Sequence, residues 1–142
     1  MQSGGTVVFS LTHAIRFHQT DAAGVMYFAE GLVLCHSTYE ASLQTAGIDL
    51  GKFFGGGEVA CPIVHTAMNY HRPLRCGDQV TVHLTPTRLD QTSFEVSYRL
   101  CGLDPVQVMA EASTRHICIH SQQRHRLVLP PELETWLNHW NP

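Results

Sequence analysis

Residues 17–40 read FHQTDAAGVMYFAEGLVLCHSTYE, and the period of the apolar residues changes inside this stretch. Upstream, Val7, Phe9, Leu11, His13, Ile15 and Phe17 fall on one parity, which predicts a strand over 6–18. Thr20-Asp21-Ala22-Ala23-Gly24 breaks that pattern with turn and cap residues. Downstream, Phe28, Leu32, Cys35, Tyr39, Leu43 and Ala46 recur every three or four residues and predict a helix over 28–47. Gly31, Leu34 and Ala41 add small or apolar positions elsewhere on its girth, so the helix should be well buried. Gly47 suits the C-terminal cap.

The remainder reads as β-structure. Residues 48–61, with Gly55-Gly56-Gly57, suggest a mobile loop. Val64–Arg72, Val80–Leu84 and Phe94–Leu100 alternate or run apolar, and a long strand opens at Val106 and extends toward His120. Pro130-Pro131 starts a short helix holding Leu133, Trp136 and Leu137. Strands joined by short turns imply an antiparallel sheet, with the apolar helix packed on its concave face. The fold class is therefore α+β.

Composition narrows the function. The 142 residues suit one domain, 1–142. Charged residues make up 15% against an average near 25%, and the formal net charge is -3. Such a chain is neither disordered nor a general nucleic-acid binder. Five cysteines without a CxxC pair argue for free thiols in a reducing compartment. With no signal peptide pattern and no apolar run long enough to span a bilayer, a cytoplasmic location is expected.

The TDAAGVMYF run at the strand-to-helix junction resembles the signature of the hotdog-fold thioesterases of the 4-hydroxybenzoyl-CoA thioesterase family. Pro62-Ile63-Val64, Asn69–Leu74 and Gly77-Asp78 follow in the matching order, so the likeness spans about residues 9–120. Within the family, Tyr27–Gly31, Cys35-His36 and Tyr39-Glu40 are most similar to 1,4-dihydroxy-2-naphthoyl-CoA hydrolases. The resemblance implies a sheet wrapped around one long central helix, an acyl-CoA substrate and no cofactor. It also implies homodimers paired into tetramers, with active sites at the dimer interface.

A thioester has a good leaving group, so hydrolysis needs a nucleophile or base and a donor for the developing oxyanion. The resemblance assigns the first role to Asp21, which would attack the carbonyl or activate water. It assigns the second to the backbone N–H of Phe28, at a helix start whose first amides lack intrahelical partners. By residue type alone Asp21 is also an ordinary N-cap. Gly24 permits the tight turn, and Tyr27, His36, Glu40, Cys61 and Pro62 are the candidate acyl contacts. His36 and Glu40 equally read as a satisfied polar pair. The family's benzoyl enzyme holds the nucleotide phosphates with a basic cluster before the serine matching Ser93. This chain has Asp90-Gln91-Thr92 there, which leaves Arg88, Arg124 and Arg126 as substitutes, or as plain surface charges. His116, Cys118 and His120 share strand parity but match no metal motif, so no metal is expected. The competing readings are an aliphatic or 4-hydroxybenzoyl acyl group, and a hotdog module that binds acyl-CoA without turnover.

Overall fold

Alternating segments give the strands. The computed structural model describes residues 8–142. Val7 of the expected first strand and the N-terminal Met1–Gly5 lie outside the described residues. Strands β1 (Phe9–Ala14), β3 (Ile63–Tyr70), β4 (Gln79–Asp90), β5 (Ser93–Leu103) and β6 (Val106–Ile117) form one sheet in the order β1-β4-β5-β6-β3. Every pairing in it is antiparallel. Two short strands, β2 (Val59–Ala60) and β7 (Ile119–His120), form a separate ladder. On β4 and β5 the alternation puts Val80, Val82, Leu84, Phe94, Val96 and Leu100 at 0% exposure on the inner face.

The helix predicted at 28–47 is α1, Phe28–Thr45, and Gly47 follows it at φ +96°, a conformation that favours glycine. Its buried face departs from the predicted stripe. Gly31, Leu34, Cys35, Thr38, Tyr39, Ser42 and Leu43 are buried, whereas Phe28 and Val33 are exposed at 62% and 52%. Small residues let the helix approach the sheet. A Cβ added at Gly31 would lie 2.5 Å from the Met68 Cε on β3. The polar members are satisfied locally, because Thr38 Oγ1 donates to the Leu34 carbonyl and Ser42 Oγ to the Tyr39 carbonyl.

The expected mobile loop at 48–61 is a correction. It contains a helical turn, α2 (Leu50–Phe53), capped by the Asp49 side chain on the Lys52 N–H, and then β2. The C-terminal helix α3 (Pro131–Trp140) buries Leu133, Trp136, Leu137 and Trp140. Both indoles anchor to one residue of α1. Trp136 Nε1 donates to Ser42 Oγ at 3.0 Å and Trp140 Nε1 to the Ser42 carbonyl at 3.1 Å. No helix among the described residues is long and apolar enough to cross a membrane.

Because Trp136 is fully buried and hydrogen-bonded, Trp136→Ala should cost about 3–5 kcal/mol in urea unfolding. A loss below about 1 kcal/mol would mean that α3 contributes little to the core.

Candidate active site

The segment between β1 and α1 closes on itself. Thr20 bridges Met26, the Asp21 N–H donates to the Val25 carbonyl, and the Gly24 N–H returns to the Asp21 carbonyl. Gly24 sits at φ +79°, which lets the turn close. The Asp21 carboxylate accepts the Ala23 N–H at 2.8 Å, an Asx-type turn. It caps no helix: α1 begins after Tyr27, which supplies no side-chain cap, so the N-cap reading of Asp21 is overturned. Two more bonds fix the loop, from the Met26 N–H to the Leu74 carbonyl and from the Tyr27 N–H to the Gln19 carbonyl.

Asp21 is exposed at the rim of a cavity of about 400 Å³, with Tyr27, Phe28, Tyr70 and Arg72 also on its walls. Phe28 opens α1, and its amide finds no acceptor among the described residues. Tyr70 Oη donates to the Phe28 carbonyl at 2.6 Å and ties the helix start to β3. Asp21 and Phe28, a carboxylate residue and one whose helix-start amide is free, thus line one cavity, and acyl transfer uses a nucleophile or base together with an oxyanion donor. Tyr27 and Phe28 pack their rings at 4.9 Å and leave an aromatic surface beside it.

His36 and Glu40 do not line this cavity. They lie two and three turns along α1 and bond each other, Nδ1 to Oε2 at 2.9 Å, with both side chains nearly half exposed. His36, Cys61, Pro62 and Arg124 share a second cavity of about 450 Å³, whose walls include Tyr39 and His116. Tyr39 Oη and His116 Nδ1 are buried there with no hydrogen-bond partner among the described residues. Burial lowers the His116 pKa from 6.5 to about 4, the His36 charge adds to this, and the Cys61 carbonyl opposes it. Burial likewise raises the Tyr39 phenol.

The remaining phosphate candidates are unequal. Arg88 is held by Glu134 of α3 and by the Asp90 carbonyl. Ser93 is buried, and Arg126 donates to Thr92 Oγ1 at 3.0 Å. Asp90 lies among these groups, and the Thr92 N–H, first of all, lowers its pKa. Arg124 alone of these arginines lines a cavity together with candidate acyl contacts, and it does so at φ +66°. His116 and Cys118 belong to the core, while His120 turns toward Glu58 and stacks on His125.

A model of the thioesterase-like superfamily matches residues 15–137. The chain belongs to that superfamily. It is 44% identical over 124 residues to a 1,4-dihydroxy-2-naphthoyl-CoA hydrolase of Crocosphaera subtropica, covering 87% of this chain and 90% of that protein. It is 46% identical over 127 residues to the protein of the same name from Rippkaea orientalis, covering 89% and 92%. The crystal structure of a 1,4-dihydroxy-2-naphthoyl-CoA thioesterase from Synechocystis superposes with a TM-score of 0.88 at 31% identity, covering 92% and 96% of the two chains. The hotdog fold and the resemblance to naphthoyl-CoA hydrolases, both read from the TDAAGVMYF region, agree with these matches.

Three residues around the Asp21 turn escaped sequence reasoning. Gln19 is buried, accepts the Arg16 N–H on Oε1 and reaches Glu30 through Nε2. Tyr70 and Arg72 line the Asp21 cavity from β3 and its exit. The quoted run Asn69–Leu74 contains the last two, but nothing in its spacing says that it returns beside Asp21.

His116 sets a pH dependence. Its folded pKa lies below the ordinary value, so its contribution is complete above pH 6.5 and is lost as pH falls toward 4, where the unfolded state alone binds the proton. The shift is worth about 3 kcal/mol. The urea midpoint should fall across this window, and His116→Gln should flatten the fall; His13, also lowered by burial, keeps part of it. An unchanged slope in the variant would remove His116 as its source.

Proposed function

We propose that this protein hydrolyses 1,4-dihydroxy-2-naphthoyl-CoA to 1,4-dihydroxy-2-naphthoate and CoA. The observation that carries the reading is the Asp21 carboxylate and the unpaired Phe28 amide on one cavity at the start of α1. The names of relatives above 40% identity supply the acyl group. In this reading the thioester oxygen turns to the Phe28 N–H, where the helix dipole favours its developing charge. Asp21 then attacks the carbonyl carbon to form a mixed anhydride, or takes a proton from the attacking water. Tyr27 offers the acyl ring an aromatic wall. His36 and Glu40, with Cys61 and Pro62, contact the ring hydroxyls, and Arg124 leads the phosphate contacts.

The working form is a homo-oligomer in the cytoplasm. Edge strand β3 presents Ile63 and Val64 at 40% and 57% exposure beside Val33 of α1, an apolar edge that a second copy covers. In this reading the active sites lie at the dimer interface, where a second copy can supply the His36 that lies two turns from Phe28 within a single chain.

Asp21→Asn keeps the oxygen that accepts the Ala23 N–H, so the variant should fold. Its turnover of the naphthoyl thioester should fall roughly 10²–10⁴-fold, followed by release of CoA thiol. Near-normal turnover would remove Asp21 from the chemistry. On a panel of thioesters, preference for an aliphatic or 4-hydroxybenzoyl group would overturn the substrate, and binding without release would favour a sequestering module. Val64→Lys on the β3 edge should shift sedimentation toward smaller species; an unchanged profile would place the interface elsewhere.

A further inference from the structure

The β2–β7 ladder pairs Val59 with His120 and Ala60 with Ile119. One step further along this register, Cys61 stands opposite Cys118. Their Sγ atoms lie 2.8 Å apart. Opposed residues of an antiparallel pair have Cα atoms about 4.5–5.5 Å apart, inside the roughly 4.4–6.8 Å span that a disulfide bridges. The backbone register therefore favours a bond here, independently of the sulfur positions.

The two thiols differ in access and in acidity. Cys118 is 0% exposed, whereas Cys61 is half-buried and lines the second cavity with Pro62 and His116. The two sulfurs share one hydrogen bond, which pushes the Cys61 thiol up and draws the Cys118 thiol down. The reachable sulfur thus has a second thiol directly behind it, placed to resolve an oxidised Cys61. The other three cysteines, Cys35, Cys76 and Cys101, have no such partner among the described residues.

We propose that Cys61 and Cys118 form a redox pair, which a hydroperoxide reaching the second cavity converts into an intramolecular disulfide. With hydrogen peroxide, the Cys61 sulfur attacks one oxygen. The S–O bond forms, the O–O bond breaks, and the departing oxygen leaves as water with the thiol proton. Cys118 then attacks the sulfenic sulfur; the S–S bond forms, the S–O bond breaks, and a second water carries away the Cys118 proton. The two sulfurs together lose two electrons, and the peroxide is reduced to two waters. The bond spans 57 positions and ties the segment after Gly55–Gly57 to the β6–β7 junction. It converts the thiol in the cavity wall into a fixed cross-link and returns to the open form with a dithiol reductant. This modification does not depend on which thioester the protein cleaves.

The test uses the full chain with the exposed Cys76 replaced by serine, which removes intermolecular pairing through that thiol. After hydrogen peroxide and quenching, thiol titration should fall by two, peptide mapping should join Cys61 to Cys118, and dithiothreitol should restore both thiols. The thermal midpoint of the oxidised protein should rise by roughly 5–15 °C, since the cross-link constrains the unfolded chain. Adding Cys118→Ser, or Cys61→Ser should the first fail to fold, should abolish the paired loss and the rise. Retention of all thiols under peroxide, a link between other cysteines, or oxidation of Cys61 to sulfinic acid with Cys118 left free would each overturn the proposal.

Discussion

Close approach of α1 to the inner face of the sheet is the constraint on which the other features rest. The contact face carries Gly31, Thr38 and Ser42 among its larger apolar residues, so the helix axis comes near the strands and near α3. Small residues in a core position are stable only when their hydroxyls are satisfied. Thr38 donates to Leu34 and accepts from His13 Nε2 at 3.0 Å; Ser42 donates to Tyr39 and accepts from Trp136. Each hydroxyl thus joins the helix to a different element, β1 in one case and α3 in the other. Around Tyr39 the same approach brings Phe94, His116 and Trp136 into ring contact.

The position of the helix also decides where its free amides point. Tyr70 holds the Phe28 carbonyl, and Gln19 and Leu74 hold the segment before it. The N-terminus of α1 is therefore anchored to β3 and to the β1 exit at once, with the Asp21 turn folded against it. A preorganised amide of this kind is what the proposed oxyanion role of Phe28 requires, and here the rigidity comes from the sheet. The exposed aromatic rings of Tyr27 and Phe28 are the complement of this arrangement, a surface left open beside the Asp21 carboxylate.

The scarcity of charge acquires a meaning in the same frame. The ion pairs present are mostly peripheral, such as Arg115 with Glu95 and Arg99 with Glu111, and pairs so exposed contribute little to stability. Apolar side chains on the β3 edge and on α1 stay uncovered instead, among them Ile63, Val64 and Val33. The histidines divide by environment. His13 and His116 bond within the interior, His71 pairs with Glu111 on the wall of the Asp21 cavity, and His36 lines the second cavity.

Period and punctuation were enough to mark the long helix, the long strands and the C-terminal helix, though not α2 and β2. The switch from alternation to a three-to-four repeat near Phe28 marks the helix, and Gly47 and Pro131 mark ends that the structure keeps, because backbone preferences act over a few residues. The TDAAGVMYF run was likewise enough to point to the superfamily. What the sequence left open depends on contacts between distant segments. The apolar repeat named Phe28 and Leu32 as core, yet packing chose Gly31, Thr38 and Ser42, since proximity to Met68 and Trp136 outweighs side-chain hydrophobicity there. Arg88 read as a phosphate contact or a plain surface charge, and its pairing with Glu134 came only from the docking of α3. The placement of Tyr70 and Arg72 beside Asp21, and of Cys61 against Cys118, came only from strand order and register, which no local pattern encodes.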